Sequence, residues 1–140
     1  LENDFNNAAE IYQQILESYP KRHDLWSRLS QVCLADGELN SAAETALQAI
    51  KLRPNNIPYT LDYLTIAQKT KSEVRFLSEL ISASNRFPNN PQITLSLARA
   101  YDRTNRNGFK AVQSYKQFIA LAPNHSLRSE AESAIERLSK

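Results

Sequence analysis

The sequence has little of several residues on which other protein classes depend: one cysteine, two glycines and no methionine among 140 residues. One cysteine cannot form an internal disulfide or a metal site built from several cysteines. Two glycines exclude a glycine-rich phosphate-binding loop and disfavour an all-β fold with many tight turns. No apolar run approaches the ~20 residues that a membrane helix needs. The polar, acidic N-terminus is not a signal peptide, and because position 1 is not methionine we expect a piece of a longer protein.

What the sequence does contain is a repeat. Hydrophobic residues make up 41% and the formal net charge is +2, which suits an ordered chain. Pro20, Pro54 and Pro88 are separated by 34 residues each, and Pro123 follows after 35. Asparagine directly follows the last three of these prolines. A spacing kept over most of the chain predicts one supersecondary unit that is used about four times.

Within each unit the apolar residues recur at helical spacing. Between residues 23 and 54 they recur at steps of three and four on both sides of a break at 35–38, which contains Gly37. This pattern predicts two amphipathic helices joined by a short turn. The proline at the end of each unit terminates the second helix, because it lacks an amide proton and disfavours helix in the residue before it. No stretch alternates as a strand would, so the predicted fold is all-α.

The spacing of these residues resembles the tetratricopeptide repeat, whose 34-residue pattern is W-x2-L-G-x2-Y, then A-x3-F, then P. Residues 91–125 show it as Thr94-x2-Leu97-Ala98-x2-Tyr101, Ala111-x3-Tyr115 and Pro123. Residues 23–56 show it, with small residues at three positions, as Trp26-x2-Leu29-Ser30-x2-Cys33, Ala42-x3-Ala46 and Pro54. Residues 1–22 contain only the second half of the pattern, as Ala8-x3-Tyr12 and Pro20.

The resemblance implies an all-α, right-handed superhelical stack of helix-turn-helix hairpins with about eight helices. We expect a single domain over residues 1–140. Its expected parts are a partial repeat with the second helix only (1–22), a repeat (23–56), a divergent repeat (57–90), a repeat with one extra turn residue (91–125) and a capping helix (126–140).

Three details of packing follow from the same pattern. Trp26 is expected to be largely buried between hairpins, and Ser126 is expected to cap the last helix. The first helix of the divergent repeat is apolar on nearly every side, so its register stays open. One register packs Thr60, Tyr63 and Leu64, and the other packs Leu61, Leu64 and Ala67.

No group of residues indicates catalysis, a metal site or a cofactor site. His23 and His125 lie far apart at repeat boundaries, and we expect both to be exposed in loops. Cys33 lies at a helix-packing position without a neighbouring histidine, which predicts a buried, inert thiol. We therefore predict that the protein is not an enzyme and uses no metal and no cofactor.

In proteins of this family the first helix of each repeat lines a concave groove, so the resemblance implies a partner-binding site on the first helices. Carried over residue by residue, this site is Ser27, Gln31, Leu34, Leu61, Thr65, Lys69, Leu95, Arg99, Asp102 and Arg103. Three of these positions hold leucine although core packing does not need it there, and we expect these leucines to face a partner.

Charge indicates the chemistry of the partner. Residues 1–70 carry six basic and nine acidic side chains, net −3, whereas residues 71–140 carry eleven and six, net +5. This asymmetry favours an acidic partner on the C-terminal half. The basic residues are not clustered with aromatic ones, as they would be in a nucleic-acid-binding protein.

We therefore predict a non-catalytic scaffold whose groove binds a peptide or helix of another protein. The partner is expected to be mixed apolar and acidic, with no nucleic acid and no membrane insertion involved. A structural spacer within a larger multidomain protein, with no ligand of its own, stays open as the alternative.

Overall fold

A computed structural model describes residues 2–104 and 108–140 of the chain. These residues form eight α-helices and no strand, which confirms the all-α prediction. The helices are α1 (Glu2–Ser18), α2 (His23–Ala35), α3 (Leu39–Leu52), α4 (Ile57–Thr70), α5 (Glu73–Arg86), α6 (Pro91–Thr104), α7 (Gly108–Leu121) and α8 (Arg128–Leu138). Each of the four regularly spaced prolines lies two residues after a helix end, as their chemistry predicts.

The chain divides into two compact units, residues 1–70 and residues 71–140. Unit 1 contains α1 to α4 and unit 2 contains α5 to α8, and within each unit successive helices pack against one another. Buried apolar side chains come from all eight helices, for example Leu16, Leu29, Ala46, Ile66, Leu80, Ile93, Phe118 and Ala131. The divergent repeat therefore contributes α4 to unit 1 and α5 to unit 2, and its boundaries at 57 and 90 stay a prediction.

One turn recurs after the second helix of each repeat. A backbone amide donates to the carbonyl three residues earlier at 3.1–3.2 Å, in the pairs Arg22 to Tyr19, Asn56 to Arg53, Asn90 to Phe87 and His125 to Ala122. These pairs follow one another at the spacing of the prolines, 34, 34 and 35 residues. The repeat seen in the sequence is thus a repeat of backbone conformation.

The turn inside the first hairpin depends on Gly37. Its φ is +81°, a left-handed conformation that glycine adopts without a steric penalty. The amide of Glu38 donates to the carbonyl of Cys33 at 2.9 Å, and the amide of Gly37 donates to that of Leu34 at 3.1 Å. These two bonds close the end of α2 and turn the chain back into α3.

The structure decides the register of α4. Thr60, Tyr63 and Leu64 are all buried, whereas Leu61 is only half-buried. The helix therefore follows the first of the two registers, although Ala67, which the second register required, is buried as well.

Of the two remaining packing expectations, one is confirmed and one is wrong. Trp26 lies mostly out of solvent, as expected, and its indole nitrogen donates to the carbonyl of Pro20 at 2.8 Å. The last helix begins at Arg128 with Leu127 as its N-cap and no side-chain cap, so Ser126 does not cap it. The amide of Leu127 instead donates to Nδ1 of His125 at 3.0 Å. The extra turn residue is predicted in the turn 102–108, of which residues 105–107 lie outside the described residues, so its place stays a prediction.

Candidate functional site

In unit 1 the predicted site residues lie on α2 and α4. Gln31, Thr65 and Lys69 are exposed, and Ser27, Leu34 and Leu61 are half-buried. A half-buried leucine keeps part of its apolar surface in contact with water, so it can lose more of that surface to a partner. These six positions are therefore available to a ligand.

Two of these residues line a shallow cleft inside unit 1. Ser27 and Gln31 of α2 lie on one side of it, and Tyr59 and Asp62 of α4 lie on the other. Its floor is formed by Ser30, Ala46 and Ala49. The cleft has a volume of only ≈ 10 Å³, about the room that one water molecule needs. Ser30 donates its hydroxyl to the carbonyl of Ala42 at 2.8 Å.

The α4 wall of the cleft contains ionisable groups that sequence reasoning did not single out. Burial raises the pKa of the Asp62 carboxyl above its usual range. Burial, followed by the negative charge of Asp24, also raises the pKa of Tyr59. The Tyr59 hydroxyl lies 2.7 Å from Nδ1 of His23, and the two rings are tilted at 54°. His23 is thus half-buried and partnered, which corrects the expectation of an exposed loop histidine.

In unit 2 the expectation that core packing does not need Leu95 is wrong. Leu95 is only 4% exposed and belongs to the core cluster with Ala98 and Phe118. Ala131 and Ala134 of α8 lie in the same cluster, and their small side chains let α8 approach the helices beneath it. Leu95 is therefore a structural residue.

The charged site residues of α6 have partners inside unit 2. Arg99 donates to both carboxylate oxygens of Glu130 on α8, at 2.8 and 2.7 Å. Asp102 accepts a hydrogen bond from Arg137 of α8 at 2.5 Å, and Arg103 lies 3.8 Å from a carboxylate oxygen of Glu73. The first helix of this repeat and the last helix of the chain are thus joined by two ion pairs of opposite polarity.

The carboxylate of Asp102 also accepts a hydrogen bond from a buried tyrosine. The hydroxyl of Tyr115 on α7 donates to the Asp102 carboxylate at 3.1 Å. Burial first, and then the charge of Asp102, raise the pKa of Tyr115 to about 12. The hydrogen bond satisfies the only polar atom of a side chain that is otherwise in the core.

The single cysteine lies in a packing position. Cys33 is buried, and burial, followed by the charges of Glu38 and Asp36, raises the pKa of its thiol. A thiol with a raised pKa is a poor nucleophile, because the thiolate is the reactive form.

Within 2–104 and 108–140, no three histidine, cysteine or acidic side chains come together as a metal site would require. None of the helices in the described part of the chain combines the length and the apolar character that crossing a bilayer would take.

Two helix caps were missed at the sequence level. The side-chain oxygen of Asn56 accepts from the amide of Tyr59, and that of Asn90 accepts from the amide of Ile93, both at 3.0 Å. Each bond satisfies an amide in the first turn of a helix. The signal was present in the sequence, since both asparagines end a Pro-Asn-Asn triplet that precedes an apolar run.

The comparisons with known proteins agree with this geometry. Residues 1–61 match the family model for the tetratricopeptide repeat. No curated protein matches the chain.

Several solved structures share the fold. A tetratricopeptide repeat protein from Parabacteroides merdae has a TM-score of 0.82 at 14% identity, over 98% of this chain and 54% of that one. MamA from Desulfovibrio magneticus has a TM-score of 0.68 at 14% identity, over 96% and 84%. YrrB, described as a TPR protein with an unusual peptide-binding site, has a TM-score of 0.71 at 17% identity, over 94% and 67%.

Identities this low establish the fold and no more. The family match covers the first repeat and a half, and the fold likeness extends to the rest of the chain. Residues 1–61 are therefore similar to the tetratricopeptide repeat, and the chain as a whole has the fold of a solved tetratricopeptide repeat protein.

Proposed function

We propose that this chain is a non-catalytic scaffold that binds a peptide or helix of another protein. The observation that carries the proposal is the cleft of unit 1, where Ser27 and Gln31 of α2 meet Tyr59 and Asp62 of α4. The cleft has a volume of only ≈ 10 Å³, so a partner would lie across it and bond to the exposed Gln31 and to the half-buried Ser27, Tyr59 and Asp62. YrrB, a protein of the same fold with an unusual peptide-binding site, supports the same function.

The partner in this proposal is mixed apolar and acidic. In unit 1 the half-buried Leu34 and Leu61 supply apolar surface, and the exposed Lys69 supplies a positive charge. Unit 2 has a net charge of +5. Its pair between Arg103 and Glu73 is exposed and 3.8 Å long. Exposed pairs contribute little to stability, so an acidic partner could replace Glu73 at small cost.

A second candidate function applies to unit 2. There Leu95 lies in the core, and Arg99 and Asp102 are engaged by Glu130 and Arg137. A surface whose polar groups already bond to one another gains little from a ligand. This observation favours, as an alternative, a structural spacer for unit 2. In that case unit 1 alone would bind the partner, and Arg103 and the net charge of +5 would play no part in binding.

The proposal is tested by one substitution and its matched control. Gln31→Trp places a large side chain in the cleft, whereas Gln48→Trp places it on the exposed surface of α3 in the same unit. Proteins retained by the immobilised chain are identified by mass spectrometry, and the segment bound is mapped with synthetic peptides. We expect Gln31→Trp to weaken binding of the mapped peptide at least tenfold and Gln48→Trp to leave it unchanged.

Two outcomes would contradict the proposal. If both variants bind the mapped peptide as the parent does, the cleft is not the site. If the parent retains no protein beyond what an unrelated helical domain retains, the spacer function applies to the whole chain.

A further inference from the structure

Unit 1 contains a second cavity, which has no part in the cleft. We call it the turn cavity, because it lies between α1 and α2 at the turn that leads into α3. Its volume is about 230 Å³. A cavity of roughly 150 Å³ is enough to hold benzene, so the turn cavity has room for a group of about that size or somewhat larger. Its ligand is therefore a side chain or a small molecule rather than a whole peptide.

One wall of the turn cavity is apolar. Phe5 and Ala9 of α1 and Val32 of α2 are half-buried there, so each of them keeps surface that a ligand can cover. The Cys33 thiol lies on the same wall, and this residue is only 8% exposed. Within residues 2–104 and 108–140, no other side chain forms a hydrogen bond with that thiol. This wall suits the alkyl part of a ligand.

The rim of the turn cavity is negatively charged. Asp36 is half-buried and Glu38 is exposed, and both lie in the turn between α2 and α3. Among the described residues, neither carboxylate has a basic side chain as its partner. Their charges act inside the cavity, since burial first, and then the charges of Glu38 and Asp36, raise the pKa of the Cys33 thiol.

The repeat pattern does not require this charge. In the next repeat, 34 residues later, the equivalents of Asp36 and Glu38 are the uncharged Thr70 and Ser72. The charge of the surrounding sequence has the same sign, since residues 1–50 carry three basic and eight acidic side chains, net −5. A cation is therefore attracted to this turn from a distance as well as at contact.

The two kinds of wall together indicate which cation fits. A metal ion would use the carboxylates and leave the apolar wall without contacts. A guanidinium group on an alkyl chain uses both, because it has five N–H donors for the carboxylates and a flat face that stacks on an aromatic ring such as that of Phe5. The side-chain amides of Asn6 and Gln13 also line the cavity, and their oxygens are further acceptors for such a group.

We propose that the turn cavity binds an alkylguanidinium group, with the cation at Asp36 and Glu38 and the alkyl chain against Phe5 and Val32. This chemistry comes either from an arginine side chain of another protein or from a free guanidino compound. The site lies apart from the cleft proposed above, and it does not depend on that proposal.

The probe for the test is n-butylguanidinium, and its matched control is n-butylurea, a neutral molecule with the same number of non-hydrogen atoms. Binding is followed through the backbone amide signals of residues 36–38 in the NMR spectrum of the ¹⁵N-labelled chain. We expect saturable shifts with a dissociation constant on the order of 1 mM, because so small a ligand makes few contacts. Butylurea should bind at least tenfold more weakly.

Two matched variants test the place of the charge. Glu38→Gln keeps the size of the side chain and removes its charge at the rim, and it should weaken binding of butylguanidinium about fivefold. Glu17→Gln removes the same charge at the other end of α1, in the same unit, and should leave binding unchanged. An arginine blocked at both termini distinguishes the two sources. Binding as tight as that of butylguanidinium supports a protein arginine, and binding by butylguanidinium alone supports a free compound.

Cys33 provides a second readout, because it is the only cysteine of the chain. Two methanethiosulfonate reagents of similar size and opposite charge, trimethylammonium-ethyl and sulfonatoethyl, are allowed to react with the folded chain, and mass spectrometry follows the adduct. Each rate is divided by the rate of the same reagent with mercaptoethanol. We expect the cationic reagent to react at least tenfold faster on this scale, and butylguanidinium to slow it.

Three results would overturn the inference. The first is butylurea binding as tightly as butylguanidinium, or neither of them binding. The second is an equal loss of binding in Glu38→Gln and Glu17→Gln, because net charge alone would then explain the attraction. The third is a Cys33 reaction without preference for the cationic reagent. Gln31→Trp, which tests the cleft, should leave butylguanidinium binding unchanged, so the two proposals can fail separately.

Discussion

The first helices α2 and α6 occupy the same place in their repeats, 68 residues apart, yet they present different surfaces. Where α6 has Leu95 in the core, α2 has the half-buried Ser27 at the edge of a cleft. Where α6 has Arg99 bound to Glu130, α2 has the exposed Gln31. One repeat pattern therefore supplies either a filled, ion-paired surface or an open one, and the side chains at a few positions decide which.

The physical reason lies in the size and charge of those side chains. A leucine at the Leu95 position fills the space between its helix and its neighbours, and burial of apolar surface holds it there. A serine at the same position fills less volume, so a cleft remains between α2 and α4. The space beside Ser27 is thus obtained by leaving out packing at that one position.

The largest effect that would test this contrast comes from a charge placed at Leu95. Leu95→Asp buries an unpaired carboxylate in the core of unit 2, and we expect it to lower the free energy of unfolding by about 4 kcal/mol or more. Leu34→Asp is the control, because Leu34 is half-buried and its equivalent in α6 is already aspartate, Asp102. Leu34→Asp should lower the free energy of unfolding by only about 1 kcal/mol.

Urea denaturation followed by helical circular dichroism measures both variants. Equal midpoints for the two variants would show that Leu95 is not part of the core, and the contrast between α2 and α6 would then lose its basis.

A smaller effect on the free energy of unfolding is expected from truncating equivalent side chains in two second helices, the buried Phe118 of α7 and the exposed Ile15 of α1. Phe118→Ala removes a side chain with 0% exposure, and we expect a loss of ~3–5 kcal/mol from the lost transfer energy and the cavity. Ile15 occupies the same repeat position in α1 but is 36% exposed, so Ile15→Ala should cost only about 1 kcal/mol. Thermal and urea unfolding check the difference. If Ile15→Ala lowers the free energy of unfolding as much as Phe118→Ala does, Ile15 is covered in solution and the two helices do not differ in this respect.

Much of the fold could be predicted from the sequence because its determinants are local. Pro20, Pro54, Pro88 and Pro123 end helices through their own geometry, and Gly37 permits a left-handed turn without help from distant residues. The apolar spacing then fixes which side of each helix is buried. The helix caps formed by Asn56 and Asn90 could also have been predicted, because an asparagine before an apolar run is a local signal for the start of a helix.

The candidate site could be predicted only in part, because exposure is decided by helices that are distant in sequence. Ala131 and Ala134 follow the spacing of one helix face, but their position beside Leu95 depends on how α8 packs. The same packing brings Glu130 and Arg137 to Arg99 and Asp102. A family pattern places residues on a face of a helix, and it does not tell whether another helix already uses that face.

The smallest effect concerns the ion pair that makes the α6 surface differ from that of α2. The side chains of Arg99 and Glu130 are 36% and 42% exposed, so solvent screens their attraction, and a double-mutant cycle with Arg99→Gln and Glu130→Gln should give a coupling of ~0.2–1 kcal/mol. Arg99→Gln also places in α6 the residue that α2 has as Gln31. The hydrogen bond from Arg99 holds the pKa of the Glu130 carboxyl below its usual value of 4.5.

Since that pKa is lower in the folded chain than in the unfolded one, the pair stabilises the fold above pH ~4.5. Its contribution is lost as the pH falls through the depressed folded value. The cycle is therefore measured by urea denaturation at pH 7 and at pH 3, each at low and at high salt. We expect a coupling at pH 7 that shrinks with salt and is smaller at pH 3 than at pH 7. A coupling that is the same at both pH values would mean that Arg99 and Glu130 stabilise unit 2 through packing of their long side chains and not through their charges. The Arg99 side chain would then be as free to bind an acidic partner as the exposed Gln31 of α2 is.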